Sequence, residues 1–385
     1  MKDKTKLSYH QVRTVFQRSM KQEIKLETEA TKCSPEKLWD ILGLAACRRQ
    51  SVHGTCNELA DAPTGAAVFY QLRQGYLAKQ EVAELEKGMN GLLGQSIAPE
   101  MLQGRHEVAF DLTAIPYHGQ AQTDEQEIRR SKAKSGTTHF HIYGSAYLLT
   151  PHKRVTIALA YWQANESVKD IFDRLMSRVQ ALAINIKRLF LDRQFCHVAL
   201  LRYLQAQPFQ TILPVPARSQ HLKTMLRTAT QSYQTNYTMP SPRAGAVTIP
   251  LYVVGFYLNG RYGQHGHQFH LFTVLGQPWQ AKLSRLGRKF RSRFGIESSY
   301  RQMNHVRIRT SSQDPLLRFL FVTIAFLLLN LWRTLNWRFL SLPRRGGRYL
   351  DESIFRLRTF INFLADAICH VRQPIRAVFR PSTLF

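Results

Sequence analysis

Residues 105–116 read RHEVAFDLTAIP, and within them the hydrophobic period is two. Val108, Phe110 and Leu112 fall on one face and Ala109, Asp111 and Thr113 on the other, which is the alternation of a half-buried β-strand. Asp111 therefore sits in or at the end of a strand that faces a core. Two apolar runs follow, THFHIYGSAYLLT (138–150) and RVTIALAYW (154–162), separated by Pro151-His152-Lys153. They predict a hairpin, making three strands between Arg105 and Trp162.

Downstream the period lengthens. Val168, Ile171, Phe172, Leu175 and Val179 share one face of a helix expected over about Ser167–Leu182. The short apolar run IKRLFLD (186–192) then ends at Asp192, a helix follows near Val198–Gln205, and FQTILPV (209–215) reads as another strand. Strand-strand-strand-helix-strand-helix is the order of a ribonuclease H-like mixed sheet, so the fold class is α/β. In such sheets the crevice beyond the strand ends is where ligands lie, and Asp111 and Asp192 both stand there.

Outward from this core, residues 217–279 are punctuated by Pro and Gly and carry strand-like runs, AGAVTIPLYVVGFYLNG (244–260) and HQFHLFTVLG (267–276), the pattern of a β-rich insertion. The catalytic domain is thus expected over 101–335, with this insertion inside it. From about Leu286 the chain is helical again and leads to FLFVTIAFLLL (319–329). That run is too short for the roughly 20 residues a membrane span needs, so it predicts a buried core helix. Residues 1–100 lack strand alternation. Ser34-Pro35-Glu36-Lys37 is a helix start with Leu38, Ile41 and Leu42 on one face. SVHGTCNELADAPTGAAVFYQLR (51–73) has the dimensions of a helix-turn-helix, or of an ordinary helical hairpin, with the second helix opening at Thr64. Residues 336–385 form a basic tail whose clearest helix is ESIFRLRTFINFLADAI (352–368).

Charge narrows the function. The chain has 385 residues with 53 Lys and Arg against 26 Asp and Glu, a net charge of +27. Arg193 to Ile296 holds thirteen Lys and Arg and no acid, and the desert is bounded by Asp192 and Glu297. A self-repelling surface of this kind suits a polyanion, and a carboxylate retained at its edge suits a bound cation; a membrane surface is the rival use of such charge. The five cysteines are scattered and lack zinc-site spacing, so they are expected to be reduced and structural. The basic N-terminus lacks the apolar stretch of a secretory signal, and the expected location is cytoplasmic, associated with the nucleoid. His139/His141 and His265, His267 and His270 read as packing or surface residues rather than metal ligands.

The third carboxylate of interest comes from a helix. In SRFGIESSYRQMN (292–304), Arg293, Glu297, Arg301 and Asn304 share one face. Each aspartate, taken alone, is also what a turn or cap uses, and Glu297 is also placed for an i,i+4 ion pair with its arginines. Taken together, the three in this order suit a metal triad beside phosphate clamps.

On these residues the chain resembles the DDE transposases of prokaryotic insertion sequences, in the insertion-sequence-four-like branch. There the last acidic residue lies in a helix reading Tyr, two residues, Arg, three residues, Glu, six residues, Lys. Phe290, Arg293, Glu297 and Asn304 occupy that register, two of the four matching; Phe290 lacks the hydroxyl, and Arg301 or Arg307 stands near enough to replace the charge that Asn304 lacks. FDLTAIPYHG (110–119), KSGTTHFHIYGSAYLL (134–149), LDRQFCHVALLRYL (191–204) and RFGIESSYRQ (293–302) carry the rest of the likeness. The resemblance implies that Asp111, Asp192 and Glu297 are catalytic and hold two Mg²⁺ ions about 3.5 to 4 Å apart, with Mn²⁺ able to substitute. It implies hydrolysis at the ends of a mobile element and attack of the freed 3′-hydroxyl on target DNA. Arg291, Arg293, Arg301, Asn304 and Arg307 would contact that DNA, the N-terminal helices would recognise the terminal inverted repeats, and a homodimer would synapse the two ends. The competing expectations are a nuclease of the same fold that does not join, and a catalytically inactive DNA-binding relic that represses its element.

Overall fold

The structure is a computed structural model that describes residues 6–24, 33–119, 128–259, 265–345 and 347–377. Residues 260–264 of the expected insertion and 378–385 of the expected basic tail lie outside the described residues. Two compact units cut across the linear order of the chain. One comprises Met1–Met101, Pro116–His141 and Tyr300–Phe385, the other Leu102–Ile115 and Ile142–Ser299.

The second unit contains a large mixed sheet. Its strands are β1 (Arg105–Tyr117), β3 (Thr137–Leu148), β4 (Thr156–Tyr161), β5 (Asn185–Leu191), β6 (Gln210–Pro214), β7 (Tyr233–Ser241), β8 (Gly245–Asn259) and β9 (His265–Leu275). Strand β4 pairs with β3, and the order continues β3-β1-β5-β6-β9-β8-β7. β3 and β4 are antiparallel, β1, β5 and β6 run parallel, and β9 returns antiparallel to β6. The β-rich segment thus extends the main sheet: β9 pairs with β6 over Thr211–Pro214, and β8 and β7 add to its far side. One face is closed by α7 (Val168–Ala181), whose Ile171, Phe172, Leu175 and Val179 are buried as their spacing predicts. Phe172 meets Phe110 of β1 at 5.4 Å between ring centroids. Gly144 of β3 permits this approach, because a Cβ there would lie 2.7 Å from Ile171 Cδ1. Helix α8 (Val198–Gln205) follows β5, α9 (Gln220–Thr228) follows β6, and α10 (Leu283–Arg291) packs on β8.

The first unit is mainly helical: α1 (Tyr9–Glu23), α2 (Pro35–Arg48), α3 (Val52–Asn57), α4 (Gly65–Gly75), α5 (Val82–Gln95), α6 (Pro99–Leu102, nearly all within this unit), α12 (Pro315–Leu335) and α13 (Leu357–Arg372). Ser34 caps α2 with Pro35 in its first turn, and Thr64 caps α4. The turn between α3 and α4 is pinned to the C-terminal segment, where Ala60 N–H donates to Gln373 O at 2.7 Å. Strand β2 (Arg129–Lys134) pairs with the first residues of β3. Helix α12 contains the FLFVTIAFLLL run and is buried almost throughout. It is long and apolar enough to cross a membrane, and 89% of that apolar stretch is covered by protein. The histidine His141 packs edge-on to Tyr117 at 5.6 Å, and burial pushes its imidazole pKa down to about 3.

Candidate functional site

The parallel register of β1 and β5 sets the first two carboxylates side by side. Ala109 pairs with Phe190 and Phe110 with Leu191, so the next residues along are Asp111 and Asp192. β5 ends at Leu191 while β1 runs on to Tyr117, which leaves Asp111 within its strand and Asp192 in the turn just beyond its own. Asp192 precedes the single 3-10 turn Arg193–Phe195, and its side chain makes no capping bond there. Its carboxylate is therefore not spent on the local role that such a position usually gives an aspartate.

Asp111 is only 7% exposed. Its Oδ1 accepts the Leu112 N–H at 3.0 Å. Burial pushes its carboxyl up to about 6, opposed by the charge of Arg293 and reinforced by the charges of Asp192 and Glu297. Both other carboxylates thus lie within electrostatic reach of Asp111.

Glu297 comes from α11 (Phe294–Asn304), and the segment before it is not one continuous helix. Helix α10 closes at Arg291, Ser292 and Arg293 form the joint, and α11 starts at Phe294. At that joint Arg293 is turned inward and buried. Its Nη2 donates to Glu297 Oε1 at 2.8 Å, and its Nη1 lies 3.1 Å from Asp111 Oδ2. The guanidinium is flanked by the rings of Phe290 and Phe294, 5.4 and 5.7 Å from their centroids. Nε and Nη1 remain buried without a hydrogen bond of good geometry. Arg293 therefore bridges two of the three carboxylates, its Nη1 held to Asp111 by charge alone and its Nε buried without a hydrogen-bond partner.

Phe290 itself faces the core, with Phe190 and Phe272 at 6.4 and 5.2 Å. Arg291 is exposed, its guanidinium 5.0 Å from the Phe256 ring. It lines a cavity of about 620 Å³ together with Arg193, Phe256, Phe290 and Phe294. Neither this cavity nor Arg193 in its wall is legible from the residues alone, because β8 and α10 bring together residues far apart in the chain. Arg301 and Asn304 are exposed in the last turns of α11, and Arg307 is half-buried beyond it; all three belong to the other compact unit.

An all-carboxylate donor set suits a hard divalent cation such as Mg²⁺ or Mn²⁺. In donor chemistry the residues fit such an ion. Among the described residues, however, no group of three His, Cys, Asp or Glu stands close enough together to hold one. Arg293 supplies the cation between Asp111 and Glu297 in this arrangement.

No family model matches the chain, and no curated protein matches it. Among solved structures it is similar to the piggyBac transposase in its synaptic complex with hairpin DNA, determined by cryo-electron microscopy. The TM-score is 0.59 at 10% sequence identity, and the match covers 95% of this chain and 80% of that one. The likeness is one of fold: a mixed α/β chain with a large mixed sheet, arranged as in a transposase.

Proposed function

We propose that the chain is a DNA transposase of the DDE type, cutting at the ends of a mobile element and joining the freed 3′-hydroxyl to target DNA. The observation that carries the reading is the pairing of β1 with β5, which sets Asp111 beside Asp192 with Glu297 tied to Asp111 through Arg293. The sheet order β4-β3-β1-β5-β6, antiparallel then parallel, supports a ribonuclease H-like core. The transposase fold of the structural neighbour supports the same conclusion. The insertion-sequence-four-like branch rests on Arg293 and Glu297 in their register, with Phe290 and Asn304 departing from it.

In this reading Asp111, Asp192 and Glu297 would hold Mg²⁺ or Mn²⁺, which would supply activation of the attacking water or 3′-hydroxyl and neutralisation of the leaving oxygen. The chain's own part is positional. The rigid ends of β1 and β5 fix two carboxylates relative to each other. Arg293 releases Asp111 and turns its donors to a backbone phosphate, and Arg291 and Arg193 face the DNA from the neighbouring cavity wall. In the other unit Arg301, Asn304 and Arg307 are DNA contacts of their own, the N-terminal helices of residues 1–100 read the terminal inverted repeats, and two copies synapse the ends. The expected location is cytoplasmic, at the nucleoid.

One observation favours a second reading. Asp111 and Glu297 stand as partners of Arg293 rather than as part of a closed ligand set, as a DNA-binding relic of such an enzyme would keep them. The test is cleavage and joining of a labelled duplex carrying the element's end, with Mg²⁺ or Mn²⁺, in the wild type, Asp192→Ala and Glu297→Ala. Metal-dependent cutting and 3′-end joining that disappear in both variants are expected. Cutting without joining identifies a nuclease, and specific binding with no cutting in the wild type identifies the relic.

A further inference from the structure

A second basic surface lies at the opposite ends of the same strands. Arg105 opens β1, six residues before Asp111, and Lys187 lies in β5, five before Asp192. At about 3.3 Å per strand residue, both are roughly 15 to 20 Å from the carboxylates. Two adjoining cavities of about 420 and 430 Å³ open at this end, sharing Arg188 and Trp279, and no acidic side chain lines either. Arg105 and Lys187 are exposed on one side, and Arg285 and Arg288 of α10 on the other.

The side chains here are arranged as well as charged. The neighbouring carboxylate Glu107 is held by Arg188 Nη1 and Lys289 Nζ, each at 2.7 Å. Those two cations are thereby fixed in place, while Arg105, Lys187, Arg285 and Arg288 take part in no ion pair among the described residues. The Arg188 guanidinium also lies 5.9 Å from the Trp279 ring centroid, which stiffens the floor of the groove. An ordinary solvated helix face mixes signs and is convex; this surface has one sign and is concave.

We infer that this groove is a second site for the phosphate backbone of duplex DNA, contacting a stretch of DNA other than the one being cut and without regard to its sequence. The inference rests on the DNA-processing role proposed above. Its chemistry is that of phosphate neutralisation: each cation that meets a phosphate releases counterions and adds about 0.9 to the slope of log affinity against log salt.

The test uses the full chain with Arg285→Glu/Arg288→Glu, and Arg356→Glu/Arg358→Glu as an exposed control pair in the other unit. Fluorescence anisotropy on a duplex of arbitrary sequence, titrated over about 50 to 200 mM salt, reads affinity and slope. The groove variant should bind at least about tenfold more weakly at low salt, with a slope shallower by about 2, while the control changes little. Cleavage of a short duplex carrying only the element's end, at saturating protein, should stay within about twofold of wild type. Wild-type affinity and slope in the groove variant, or an equal loss in the control, would overturn the inference. Absence of cleavage in the wild type sinks the catalytic reading instead, and the salt data separate the two failures.

Discussion

Arg293 Nη1 stands 3.1 Å from a buried carboxylate, Asp111, whose proton affinity it opposes. The raised carboxyl of Asp111, about 6 against an ordinary 3.8, means that the folded chain binds a proton there that the unfolded chain releases. Stability is therefore lost as pH rises from about 4 to about 6, and the site is strained at neutral pH by up to about 3 kcal/mol. Asp111→Asn should be more stable than the wild type above pH 6 by about 1 to 3 kcal/mol, with the gap closing near pH 4. Urea denaturation at a series of pH values measures this, and a variant less stable than wild type at pH 7.5 would refute it. The same variant should lose cleavage and any stabilisation by Mg²⁺. Arg293→Ala removes a cation that opposes the shift and should drive the Asp111 carboxyl higher still, which NMR titration of that carboxyl would detect. The elements that carry the three carboxylates were legible in the sequence, although β1 runs on past Asp111 to Tyr117 and only Asp192 stands at a strand's end. That Arg293 reaches Asp111 was not, since i,i+4 spacing links it to Glu297 alone and the second partner is set by the fold.

At the level of elements, the strands with a buried face were the readable ones. β1, β3, β4, β5, β6, β8 and β9 carry apolar alternation or apolar runs, whereas β2, RRSKAK, is almost wholly exposed and exists through its pairing with β3. β7, YQTNYTMPS, alternates a half-buried with an exposed face and pairs with β8, so its polar residues carry no apolar run to mark it. The break between α10 and α11 was also hidden: a continuous helix through Ser292 and Arg293 satisfies the same spacing, and only burial of Arg293 distinguishes the two. In the helical unit, α1, α2 and α13 are joined by a fully buried carboxylate. Asp40 accepts from Arg13 at 2.9 and 2.7 Å, from Gln17 at 2.6 Å and from Arg372 at 2.8 Å. Asp40→Ala leaves Arg13 with Glu36, and Arg372 with Glu36 and Asp61, in place of their fully buried partner and should cost about 3 kcal/mol, read as a fall in the urea midpoint. A loss below about 1 kcal/mol would mean that the helices are held by their apolar faces alone.

Across the whole molecule, the charge of +27 acts on stability as well as on binding. Like charges along the acid-free stretch from Arg193 to Ile296 repel one another in the folded state, so a polyanion that binds the native surface should stabilise the fold and not merely occupy it. Duplex DNA at about 100 times its dissociation constant adds about 2.7 kcal/mol to a one-site native state, enough to raise the melting temperature by several degrees. The effect should shrink steeply with salt, because the affinity of a surface making 6 to 10 phosphate contacts falls by about 10³ to 10⁵ between 50 and 200 mM. Thermal melts of the full chain with and without duplex DNA, at both salt concentrations, test this directly. A DNA-induced rise at low salt that vanishes at the higher one makes the basic surface a binding surface. A melting temperature indifferent to DNA at low salt would leave those cations as a solvated exterior and remove the electrostatic basis for any role on DNA.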